Sequence, residues 1–212
     1  MMMNCSQIEL GSPMAPGELC SVPRARGLVV FVHGDGVART NRRARNVPAR
    51  LQSRGLSTLV FDLLTEQETA QPGKLEDVDL LAQRLLQVMD ALPAAQRELP
   101  LGLMGSGTGA AAALVAAACR PQVVRAVVSR GGRPDLAAEV LGDVRAATLL
   151  LVGAADTDVL EINRRAYTRL HCEKGIDTVP RATHLFLEAG TLDVVAQRAG
   201  DWFCSHLGKP VP

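Results

Sequence analysis

At 212 residues the chain has the length of one domain, and 47% hydrophobic residues with only 3% aromatic ones imply a core of Leu, Val and Ala. Lys and Arg total 23 against 22 Asp and Glu, a net charge of +1, which argues against nucleic acid or an acidic membrane as partner. Five cysteines (Cys5, Cys20, Cys119, Cys172 and Cys204) show no CxxC pair and no zinc-type spacing, so they read as buried or idle thiols and no metal is expected.

In chain order, the start lacks a basic segment followed by an apolar one, so no signal peptide is expected and the cytoplasm is the default location. Residues 1–26 are punctuated by Pro and Gly, with short extended pieces at Gln7–Leu10 and Glu18–Val22 that suggest edge strands. Gly27–His33 is a β-branched run of the kind buried on both faces of a sheet, ending in the tight loop His33-Gly34-Asp35-Gly36. Asn41–Gly55 has helical spacing and a stop at Gly55. Arg39, Arg42, Arg43, Arg45 and Arg50 read as its solvated face. Ser57–Leu64 is a second buried strand, Thr65–Gly73 a polar loop, and Lys74–Leu92 an amphipathic helix closed by Pro93.

Beyond Leu99 comes a short apolar strand, then Gly105-Ser106-Gly107-Thr108-Gly109, then an alanine-rich segment reaching Cys119. Val123–Ser129 is the next strand, followed by Arg130-Gly131-Gly132-Arg133-Pro134 and a short helix at Asp135–Leu141. Thr148–Val152 is a strand, Leu160–Leu170 a helix, Asp177–Val179 a short strand and Thr191–Leu207 the last helix. Such alternation predicts an α/β fold, a mostly parallel central sheet with helices on both faces. No linker, repeat or apolar run long enough to cross a bilayer interrupts it, so residues 1–212 read as a single domain.

The glycine-bracketed turn has the pattern of a nucleophile elbow, G-x-S-x-G, with Gly105 and Gly109 as the flanking glycines. Its central position is Gly107, which has no side chain. Shifting the register to make Ser106 central would put Met104 and Thr108 where the turn needs small residues, so Ser106 reads as a turn serine.

Together these segments resemble the dienelactone hydrolase-like group of small α/β-hydrolases, some of which are fused to phosphoribosyltransferase domains. The resemblance covers nearly the whole chain and rests on GLVVFVHGDG, LVFDLLTEQE, GSGTGAAAALVAAA, VSRGGRPDLA, LLLVGAADTDVLEINR and RATHLFLEAGTL. It implies a catalytic Ser, Asp and His on loops at the carboxyl edge of the sheet. Asp156 matches the acid and His184 the histidine, in the order elbow, acid, His. His33-Gly34 matches the oxyanion loop, where backbone N–H groups near Asp35 and at Thr108 would face a substrate oxygen. The resemblance departs at Gly107, where the family has Ser, and at Asp35, where a small hydroxyl residue is usual.

Each candidate has a bland alternative. Asp156 could cap the following helix, as could Asp158. Arg130 and Arg133 could hold an anion or bridge loops; Glu66 and Glu68 read as solvated, and His33 as structural. Phe186 reads as packing, close enough to His184 to line a pocket. The residues and the resemblance together imply a protein whose His184–Asp156 pair does general-base chemistry on a small ester, lactone or carbonyl compound, with no cofactor. Two alternatives stay open: a non-catalytic protein that binds a small molecule, and a laboratory Ser-to-Gly variant of an active esterase or lactonase. A homodimer is the default oligomer.

Overall fold

A computed structural model describes residues 3–14, 16–33 and 45–208. The N-terminal strands β1 (Asn4–Ile8) and β2 (Gly17–Ser21) form an antiparallel pair at one edge, a few residues earlier than their sequence pattern suggests. Cys5 and Cys20 face each other in that pair and form a disulfide. This corrects the reading of all five cysteines as thiols: the paired register brings together two residues whose separation in sequence carries no recognisable motif.

β3 (Leu28–His33) and β4 (Ser57–Asp62) are joined through α1 (Asn46–Ser53). Gly34 to Asn41, including Asp35, lie outside the described residues, as do Arg39, Arg42 and Arg43 of the basic cluster. The rest of that stretch is not simply a solvated face. Arg50 and Arg54 each make 2.6 Å ion pairs, to Asp193 and Asp201 on the last helix.

The expected polar loop Thr65–Gly73 holds a one-turn helix, α2 (Glu66–Thr69), and the first residues of the expected helix, Lys74–Glu76, form a 3₁₀ turn instead. Thr65 and Glu68 form a reciprocal capping box that sequence reading passed over. The amphipathic helix α3 (Val78–Ala91) therefore begins only at its Asp77 cap, whose carboxylate accepts from the Leu80 N–H. After α4 (Ala94–Arg97) come β5 (Leu101–Gly107), α5 (Thr108–Cys119) and β6 (Val124–Gly132). The expected helix at Asp135–Leu141 is two 3₁₀ turns, Pro134–Ala137 and Leu141–Asp143. β7 (Ala147–Gly153), α6 (Thr157–Arg169), β8 (Lys174–Val179) and α7 (Thr191–Leu207) complete the alternation.

Among the described residues, eight strands form one sheet in the order β1-β2-β4-β3-β5-β6-β7-β8, parallel from β4 to β8. Strand pleating divides the side chains between two cores. Leu28, Val30 and Val32 of β3 pack with α3 and α5, through Leu81, Leu85 and Leu114. Val29 and Phe31 point the other way, onto α1 and α7 through Leu51, Val195 and Phe203. The chain runs outward from β3 to β4, then crosses back over β3 to β5. That reversal opens a crevice at the carboxyl ends of β3 and β5, where α/β sheets bind ligands.

Candidate active site

At the carboxyl end of β5 the chain turns sharply into α5, and the residue at the bend is Gly107, with φ 53° and ψ −128°. Residues with a Cβ rarely adopt such a positive φ, which is why the turn favours glycine. Among the described residues nothing lies within 4 Å of where a Cβ at residue 107 would sit, so the apex faces open space there. Two residues earlier the constraint is steric. A Cβ on Gly105 would lie 2.5 Å from the Ala110 Cα, because strand and helix backbones almost touch there. Ser106 therefore lies in the strand before the apex and Thr108 opens the helix after it.

The expected acid and base converge on this bend. Asp156 follows β7 in the cap position of α6, yet its side chain makes no capping bond. Its Oδ2 instead lies 2.7 Å from Nδ1 of His184, which sits on the loop between β8 and α7. The carboxylate is largely buried and the imidazole half exposed. A carboxylate at Nδ1 favours the tautomer with its proton there, leaving Nε2 as the basic atom. Ser106, Gly107, Thr108, Arg130 and His184 line one cleft of about 260 Å³ with Gly131 and Leu185.

Other expectations sort out differently. Phe186 does not line this cleft: its ring is buried beneath it, with the Arg130 guanidinium carbon 5.9 Å from the ring centroid. Arg133 is bound to the Asp135 carboxylate, two residues on in the same loop, by a 2.7 Å ion pair, a local contact rather than the expected bridge between loops. Glu68, read as solvated, makes a two-pronged ion pair with the buried Arg84. Bonds from that guanidinium hold the Glu68 carboxyl down at about 2, well below the ordinary carboxylate value. His33 is buried and stacks parallel to Phe31. Gly34 and Asp35 lie outside the described residues, so the oxyanion-loop expectation rests on sequence.

Sequence reasoning passed over Gly131 and Leu185. Gly131 has φ 52° and lies in an irregularity where Ser106 pairs with Arg130 but Gly107 pairs with Gly132. The Gly131-Gly132 doublet at a strand end was the available signal.

No family model matches the chain. Two curated proteins from separate Mycobacterium tuberculosis strains, each bearing a phosphoribosyl transferase name, are 48% identical over 209 residues. The match covers 97% of this chain and 47% of theirs, so the chain spans about half the length of these relatives. The esterase Est1E of Butyrivibrio proteoclasticus, 14% identical with a TM-score of 0.76 over 97% of this chain and 99% of its own, shares the fold. The crystal structure of a dienelactone hydrolase from Anabaena variabilis superposes with a TM-score of 0.90 at 42% identity, covering 97% of this chain and 98% of that one. With that identity over nearly the whole of both molecules, the chain belongs to the dienelactone hydrolase family of the α/β-hydrolase fold.

Proposed function

We propose that the protein is an enzyme of hydrolase type in which the His184–Asp156 pair acts as general base on a small ester, lactone or carbonyl substrate, with no protein nucleophile at position 107. The observation that carries the reading is the 2.7 Å bond from His184, at the rim of the cleft above Gly107, to the largely buried carboxylate of Asp156. Asp156 orients the imidazole and stabilises its protonated form, and Nε2 takes a proton from water or from the substrate itself. The Thr108 N–H, just after the apex, is the candidate donor to a developing oxyanion.

In this reading Gly107 stands where an ancestral serine stood. Losing such a serine can cost about six orders of magnitude in turnover, so slow or altered chemistry follows rather than ordinary esterase rates. Small p-nitrophenyl esters and unsaturated lactones are the substrates to assay. We expect His184→Ala to lower turnover by roughly 10²- to 10⁴-fold with the fold intact. Equal turnover in wild type and variant would remove the imidazole from the chemistry. Gly107→Ser should gain both ester cleavage and labelling by a fluorophosphonate; a folded variant with neither gain would sink the ancestral-serine reading.

The phosphoribosyl transferase name of the longer relatives supports a second reading, in which this unit binds a phosphoribosylated compound without hydrolysing it. Saturable binding of such a compound with no chemical change, and no effect of His184→Ala on any turnover, would favour it.

A further inference from the structure

Three backbone positions with positive φ meet at the cleft: Gly107, Gly131 and Phe186, the last at 53°. Two are glycines. Phe186 is not, and a bulky residue in the left-handed region is strained, so the surroundings must hold it in place.

The surroundings do so on both sides of the backbone. The Phe186 N–H donates to the Thr183 carbonyl (3.2 Å), closing a turn that has His184 and Leu185 at its centre. The Phe186 carbonyl accepts from the Thr191 hydroxyl (2.9 Å), which also donates to the Glu188 carbonyl. The Thr183 hydroxyl in turn reaches Glu188 Oε1 at 2.6 Å. The strained conformation drives the ring inward, into the core shared with Val195 and Ala196, while its neighbours Leu185 and Leu187 stay exposed.

Inside, the ring meets the site from below. A Cβ on Gly131 would lie 3.2 Å from Phe186 Cε2, 3.4 Å from the His184 carbonyl and 4.0 Å from His184 Nδ1. The Arg130 guanidinium lies over the same ring. One buried ring thus abuts the β6 bulge and anchors the turn that carries the imidazole.

We infer that Phe186 is a positioning residue: its ring, held inward by a strained backbone, sets the His184 turn against the Gly131 bulge so that Nδ1 stays on Asp156. This rests on the reading of His184–Asp156 as the working pair, but its test needs no turnover. In uniformly ¹⁵N-labelled protein near neutral pH, the His184 ring nitrogens should report the Nδ1–H tautomer and a slowly exchanging Nδ1–H. Phe186→Leu keeps an apolar buried group but withdraws the ring edge, and should mix the tautomers and speed Nδ1–H exchange roughly tenfold through local opening. Phe203→Leu, in the same core beneath β5 and away from the imidazole, should lower the melting temperature comparably and leave the His184 signals unchanged. Phe186→Met replaces Phe186→Leu if the latter does not fold. A wild-type His184 signature in the folded Phe186 variant, or equal disturbance by Phe203→Leu, would overturn the inference. Absence of the Nδ1–H tautomer in wild type would instead overturn the His184–Asp156 reading itself.

Discussion

At the scale of single residues, two glycines of the elbow differ in what holds them. Gly107 is favoured by its dihedral angles and, among the described residues, has open space around its Cβ position; Gly105 is required by contact, with the Ala110 backbone 2.5 Å from any added Cβ. The consequences of substitution therefore differ. Gly105→Ala must push β5 and α5 apart where their backbones touch, an overpacking cost of about 1–3 kcal/mol or more. Urea unfolding should show that loss. A stability equal to wild type would mean that strand and helix are not in contact there. Gly107→Ser meets no steric obstacle among the described residues and adds the strain of a positive φ, so that variant should fold and is the useful probe of chemistry.

Among the elements, the link between β4 and α3 shows how a charged pair holds a loop near the carboxyl edge of the sheet. Arg84, buried on α3, donates to the Leu63 carbonyl at 2.8 Å and to both oxygens of Glu68, which also caps α2. Because the Glu68 pKa falls from 4.5 to about 2 on folding, its contribution is complete above about pH 4.5 and is lost as pH falls toward 2. Its size is about 3 kcal/mol at neutral pH, from 1.36 kcal/mol per pKa unit. Glu68→Gln should destabilise the protein clearly at pH 7, and the gap to wild type should shrink by more than half at pH 3. A gap independent of pH would show that the carboxylate charge is not what stabilises the loop.

For the molecule as a whole, stability should be graded across the sheet. β3 and β7 are buried along their entire length and β5 up to the cleft at Ser106, whereas β1 is exposed along almost all of its own and is joined to β2 by the Cys5–Cys20 bridge. The bridge closes a short loop, and removing it releases chain entropy chiefly in that hairpin. Cys5→Ser is thus expected to speed amide exchange in β1 while protection in β3 and β5 stays unchanged. Uniformly faster exchange would mean that the edge hairpin is part of the central cooperative unit. Among the described residues no helix is long and apolar enough to cross a membrane, and no cluster of His, Cys, Asp or Glu is arranged to hold a metal ion.

What could be read from the chain alone was whatever depends on local pattern. The β-branched runs before His33 and Asp62, the Gly105–Gly109 bend and the spacing of α7 are periodic or motif-like, so the fold class followed from them, while Asp156 and His184 were singled out by what the family resemblance implies. What only folding decided depends on partners far apart in sequence. Cys5 met Cys20 through strand register, Glu68 lost its solvent to Arg84, and the distance within the expected Asp156–His184 pair was set by two loops 28 positions apart. Phe186, read from sequence as packing near His184, does pack, but its place under the cleft depends on a left-handed backbone angle that leaves no trace in apolar periodicity. Local pattern records how one segment meets water or core; long-range pairing is settled by the packing of the whole molecule.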